Sequence, residues 1–333
     1  MSKRSTVRFL LVLTVALSVP GLLVAEPASA DPAMAAFPPP GRLVAIDGRQ
    51  HHLFCTGTGT PTVILEEGAG GASLNWAWIQ PRVAAATRVC SYDRPGYGWS
   101  DPSDTPRDAE TVGRELDALL QSADEKGPFI VVWHSLGGAY ARMFAAQQRN
   151  NVVGLVLVDA TTPAAVASLE EVGLPPMRKS DFVRFLVSHE TLFEMADRIG
   201  LLQLKVDLHP NDFPPDAVPA MQAFLQSRER GRISGREQDA VPDTVHEVSL
   251  LGGVSPMPVT VIAADRWNDK DPDLAAKRAE WDKKHQRDWL AISTSSSFLI
   301  VPGSDHLSLL SNKAHAAVVS DAIIRMVHSL KHR

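Results

Sequence analysis

A neutral serine hydroxyl is a poor nucleophile. It becomes a good one with a base in hydrogen-bond reach, an acid to orient that base, and N–H donors where an acyl oxygen gains charge. In VVWHSLGGAY, residues 131–140, Ser135 stands where a strand-like apolar run, residues 129–133, turns into a helix-like stretch, residues 139–148. A side chain at so sharp a turn projects above the sheet edge, and Gly137 and Gly138 let strand and helix approach closely. The turn also brings the amide N–H of Leu136 to the helix amino terminus, aimed where an acyl oxygen would become negative. A candidate base, His306, follows the last apolar run in SFLIVPGSDH, on a loop at the same carboxyl edge. His134 adjoins the serine, but neighbouring side chains diverge at such a turn, so it is expected to pack against the sheet. Carboxylates close two strand-like runs, Asp159 in VVGLVLVDA and Asp265 in VTVIAAD, with Asp269 a little beyond.

These residues need a frame, and the chain offers one. Apolar runs of strand length recur in the order RLVAID, HHLFCTG, TVILEEG, RVCSYDR, FIVVWHS, VVGLVLVDA, VTVIAAD and SFLIVPGSD. Helix-like stretches such as residues 109–123 alternate with the later runs, and several runs are apolar throughout. That pattern predicts an α/β fold: a mostly parallel eight-stranded sheet, buried on both faces and flanked by helices. The first two runs, joined by Asp47 to Arg49, should pair antiparallel at one edge. From Thr161 to about Pro258 nearly a hundred residues separate two strands, far more than a crossover needs. Helix-like pieces at 179–189, 192–204 and 216–229 predict an inserted helical cap at 161–257, over the strand ends where open α/β sheets bind ligands. The core is then 41–160 and 258–333. Apolar cap residues such as Leu174, Met221 and Phe224 suit a partly apolar small-molecule substrate, although such residues also pack a cap onto its domain.

The amino terminus has a different character. Lys3, Arg4 and Arg8 precede an apolar stretch, residues 9–19, and then Ala28-Ser29-Ala30, the order of a secretory signal peptide over residues 1–30. Cleavage after Ala30 would export the chain with no stable membrane anchor and leave a proline-rich link at 31–40. It would also remove three positive charges and one negative, taking the net charge from −5 to −7. An acidic chain with scattered basic residues excludes a nucleic-acid groove. Two cysteines, Cys55 and Cys90, without paired histidines nearby exclude a structural zinc site; no metal or other cofactor is expected, since neither a phosphate loop nor a dinucleotide fingerprint is complete.

HSLGG after a strand, YDRPGYGWSD earlier and PGSDH near the end together resemble the α/β-hydrolase superfamily, from about Leu43 to the carboxyl terminus. The resemblance implies a serine hydrolase working through an acyl-enzyme on carboxylic esters or related acyl substrates, with amidase, aminopeptidase, lactonase and perhydrolase chemistry open to the same residues. A non-catalytic, hydrolase-like binding protein is the alternative of another class. Epoxide and haloalkane hydrolases in the superfamily carry aspartate where Ser135 stands. In such enzymes the base comes last in the chain, which fits His306. The acid lies either after the strand before the last, where aligning VIAAD puts Trp267 at the expected aspartate, or after the strand following the nucleophile's helix. The second place is Asp159, which is favoured, with Asp265 next and Asp269 third. A second oxyanion donor is expected from the loop ILEEGAGGASLNW; there Glu67-Gly68 replaces the common His-Gly, and Ala69 supplies the amide by position. Trp133 likewise replaces the first glycine of G-x-S-x-G. Asp93 and Arg94 in YDRPG should tie neighbouring loops together. The strand order implied by the resemblance sets the fourth run beside the second, so Cys55 and Cys90 are disulfide candidates.

Overall fold

A computed structural model describes residues 32–174 and 213–331. Eight strands form one sheet in the order β1-β2-β4-β3-β5-β6-β7-β8. They are β1 (Arg42–Ile46), β2 (Arg49–Thr56), β3 (Thr62–Glu66), β4 (Val89–Tyr92), β5 (Phe129–His134), β6 (Val152–Val158), β7 (Val259–Ala264) and β8 (Ser296–Val301). β1 and β2 form an antiparallel hairpin; β2 is also antiparallel to β4, and the remaining neighbours are parallel. The hairpin turn is the pair Asp47-Gly48, both at positive φ (49° and 78°), the two-residue geometry whose twist matches the flanking strands.

The helices are α1 (Gln80–Ala84), α2 (Ala109–Ser122), α3 (Gly137–Gln147), α4 (Pro163–Ala167), α5 (Val218–Leu225), α6 (Arg228–Ser249), α7 (Pro272–Gln286), α8 (Ser308–Ser311) and α9 (Lys313–Lys331). Alternation along β5 divides them into two layers. Val131 and Trp133 join α2 and α3 residues such as Leu116 and Phe144, while Ile130 and Val132 join α1 and α9 through Val83 and Ile323. Every residue of β5 is buried, as a central parallel strand requires. None of the described helices is long and apolar enough to cross a membrane.

The expected helices at 179–189 and 192–204 lie outside the described residues. The expected single helix at 216–229 is two: α5 ends at Leu225, and Ser227, whose side chain accepts the Arg230 N–H, caps the separate 22-residue α6. α6 escaped the sequence reading because Gly231, Gly235 and Pro242 interrupt a mostly polar stretch. It reaches the loops at the carboxyl ends of β3 and β4 through its first half, and through Val241 and Val248 it joins the α2/α3 layer. Phe213, Met221 and Phe224 pack with Tyr97 and Trp99, fastening this part of the insertion to the core. Cys55 and Cys90 face each other in the β2·β4 register and are bonded.

Candidate active site

Ser135 occupies the turn between β5 and α3 at φ 58°, a left-handed conformation that costs a non-glycine residue on the order of 1–3 kcal/mol. Backbone bonds hold it: Ser135 N–H donates to the Val158 carbonyl at 3.2 Å, and its own carbonyl accepts from Gly138 at 3.0 Å and Thr161 at 3.0 Å. Close packing explains the glycines. A Cβ on Gly138 would lie 2.7 Å from Ala160 Cβ, and one on Gly68 would lie 2.6 Å from Ser135 Cβ. Trp133 is wholly buried, so its indole lies within the α2/α3 layer instead of crowding the turn.

Asp159 ends β6, beside the end of β5, also at positive φ (46°). Its Oδ2 accepts from His306 Nδ1 at 2.6 Å and its Oδ1 from the Ala264 N–H at 2.8 Å. Burial alone would raise this carboxyl's pKa, but the His306 bond and charge and the Ala264 amide outweigh it and hold the group below the usual carboxylate value. The acid that meets the histidine is thus Asp159. Asp265 instead accepts from the Gly303 N–H at 2.9 Å and shapes the loop that carries His306; Asp269 pairs with Arg278. Ser135 Oγ has no hydrogen-bond partner among the described residues, His306 included. Nucleophile–base bonds are often long in free enzymes and tighten with substrate.

The amides of Leu136 and Ala69 likewise have no hydrogen-bond partner among the described residues. Leu136 opens α3, where the helix dipole favours negative charge. The Ala69 amide is oriented by Arg94. This buried guanidinium donates to the carbonyls of Glu67 at 2.6 Å and Gly68 at 2.7 Å, and to the carboxylates of Glu66 at 2.5 Å and Glu237 at 2.7 Å. In a trans peptide the C=O and the following N–H point opposite ways. Tying down the Gly68 carbonyl therefore turns the Ala69 N–H away from Arg94. Glu237, from α6, also accepts from Tyr97 Oη at 2.7 Å, while Arg230 donates to the Gly70 carbonyl at 2.8 Å. The Arg94 guanidinium also lies over the rings of Tyr97 and Tyr140, at 5.1 and 5.4 Å from their centres. Burial pushes Glu66 up to about 7 against the pull of Arg94. Asp93, bonded to His52, Ser73 and Trp99, does the rest of the tying expected of YDRPG.

Three features were not foreseen. His134 does not merely pack: its Nδ1 meets Glu67 Oε1 at 3.0 Å, its Nε2 the His306 carbonyl at 2.9 Å, and its ring lies 4.4 Å from that of His306. Asp282 of α7 sits beside Asp159, and burial together with that neighbouring carboxylate pushes it up to about 8. Gln286, also of α7, bonds the Ala160 carbonyl at 3.1 Å. The Asp271-Pro272 start of α7 was a readable signal for this helix, since Asp271 caps it and proline suits the first turn.

Residues 53–322 match the model of the alpha/beta hydrolase family, and the chain belongs to that family. An uncharacterized protein of Schizosaccharomyces pombe is 30% identical over 218 residues, 61% of this chain and 38% of that protein. The chain spans less than half the length of the first curated relatives it matches. Among solved structures, an esterase of Thermogutta terrifontis superposes with a TM-score of 0.59 at 18% identity, covering 86% of this chain and 98% of the other. An epoxide hydrolase, CorEH, superposes with a TM-score of 0.60 at 17% identity, covering 87% and 98%. At such identities the likeness is one of fold.

Proposed function

We propose that the protein is a serine hydrolase that cleaves carboxylic esters or related acyl substrates through an acyl-enzyme. The carrying observation is the 2.6 Å bond from His306 to Asp159, beside a serine held in a left-handed turn. In this reading Ser135 Oγ attacks the acyl carbon and its proton passes to His306 Nε2, while Asp159 steadies the imidazolium through Nδ1–H. The tetrahedral oxyanion takes hydrogen bonds from the Leu136 and Ala69 amides. His306 then protonates the leaving group, and water, activated by the same imidazole, releases the acid. Serine in place of aspartate argues against the chemistry named for the epoxide hydrolase neighbour.

A panel of p-nitrophenyl esters of graded acyl length, with lactones, amides and amino-acid arylamides alongside, tests the bond class. The reading expects kcat/KM on an ester to exceed that on the matching amide; preference for an arylamide or a lactone would reassign the reaction on the same three residues. Export is proposed with it, supported by the basic, apolar and Ala-Ser-Ala order of residues 1–30 and by the Cys55–Cys90 bond, which suits an oxidising compartment. Mass spectrometry of the protein from culture medium should find a mature chain beginning at Asp31; an intact Met1 form retained in cells would refute it.

A further inference from the structure

His134 and Glu67 form a buried pair with a constrained supply of protons. His134 is 2% exposed and Glu67 6%. Both ring nitrogens of His134 face acceptors, the Glu67 carboxyl at 3.0 Å and the His306 carbonyl at 2.9 Å. A carbonyl has no proton to give, so Nε2 must carry one. A second proton must then lie on the line between Nδ1 and Glu67 Oε1. The pair is net neutral whichever of the two holds that proton. Burial disfavours a charged His134, but the Glu67 carboxylate overrides it and raises the group's pKa. Without Glu67 a neutral ring can still offer Nε2–H to the carbonyl, but Nδ1 has lost the partner that orients the ring, and the donor is weaker for having lost the charge that Glu67 supports.

The far end of this chain of contacts is the backbone of His306 itself, and the two imidazoles overlap at a 33° interplanar angle. The His306 side chain is otherwise 42% exposed. Resting on the reading of Ser135, His306 and Asp159 given above, we propose that Glu67 and His134 are positioning residues for the base: their shared proton locks a donor onto the His306 carbonyl and holds the imidazole over the nucleophile's strand. This gives Glu67, which stands where similar hydrolases often carry histidine, a task on the base side of the site as well as in the oxyanion loop.

Four variants separate anchoring from bulk packing. In Glu67→Gln the carboxamide can donate to Nδ1 and leave a neutral His134 with Nε2–H on the carbonyl; in His134→Gln the amide nitrogen can take the place of Nε2. Both should keep kcat within about threefold of wild type. Glu67→Leu and His134→Phe preserve bulk but not the donor chain, and should lower kcat about 100-fold with KM within about twofold, the scale of an ångström of misplacement. Amide hydrogen exchange over residues 303–308 should quicken in these two and not in the glutamine variants. Should an apolar variant fail to fold, His134→Asn, polar but too short to reach the carbonyl, carries the same expectation. Wild-type kcat and unchanged exchange in Glu67→Leu and His134→Phe would overturn the proposal. If the wild type itself takes no fluorophosphonate label at Ser135, the reading of the site falls, while the exchange measurement still decides whether the anchor exists.

Discussion

Two loops flank Ser135, and they are held in opposite ways. Residues 67–71 are fixed by buried charge: Arg94 grips two of the loop's carbonyls while Glu66 and Glu237 neutralise it, all within a low-dielectric interior. The His306 loop is held mainly by uncharged hydrogen bonds: the buried Ser304 carbonyl accepts from the Asp265 and Arg266 amides at 3.1 and 2.8 Å, and the His306 carbonyl from His134. Carboxylates from outside the loop meet it at two points, Asp159 on the His306 ring and Asp265 on the Gly303 amide, while the His306 side chain is 42% exposed. The difference follows the chemistry proposed for each. An oxyanion donor serves best when it is already oriented before charge develops, because it then costs no reorganisation. A base must take a proton from one atom and give it to another, so it needs its tautomer fixed more than its surroundings frozen.

That contrast can be broken on either side. On the base side, Asp159→Asn should lower kcat about 10⁴-fold by allowing the wrong tautomer, while Asp265→Asn, which removes a loop-turn acceptor for the Gly303 amide and no contact to the His306 ring, should cost far less; steady-state kinetics on the best ester decides between them, and equal losses would move the acid away from Asp159. On the oxyanion side, Gly68→Ala sets a methyl against Ser135 and should cost about 10²–10³ in kcat, the scale of a lost oxyanion donor. Glu237→Gln leaves Arg94 with one carboxylate fewer in a buried site and should destabilise the fold by about 1–3 kcal/mol, read by chemical denaturation. An unchanged midpoint would mean that α6 does not brace the loop.

The smallest effect concerns Asp282. Its folded-state pKa of about 8 lies above the unfolded value of about 3.9. The protonated carboxyl therefore contributes stability fully below pH 4, and the contribution fades as pH rises through 8. Asp282→Asn should flatten the loss of stability between those limits, measured by urea unfolding across pH. Glu66, at about 7, tilts the wild-type curve in the same direction, so the difference between the two proteins is the informative quantity.

What could be read from the sequence follows sequence distance. Ser135, its glycines and Leu136 lie within a few residues of each other, and their strand-to-helix turn is written locally. Asp159 ends a recognisable strand and His306 lies on the loop just after another, so strand order brings them to one edge. The residues that brace the site join it across the fold: Glu237 reaches Arg94 over 143 positions, His134 reaches the His306 carbonyl over 172, and Asp282 arrives on a helix that no apolar stripe announces. A polar helix such as α6 gives little periodic signal, because its buried residues, Glu237 and Thr244 among them, include groups that a hydrophobic pattern scores as surface.

The most direct test is covalent. Incubated with a fluorophosphonate, the wild-type protein should gain one adduct, mapped by peptide mass spectrometry to Ser135, while Ser135→Ala gains none and His306→Ala labels at least a thousandfold more slowly, on the order of magnitude of losing a triad member. A folded wild-type protein that stays unlabelled, or one whose labelling is indifferent to His306, would contradict the account.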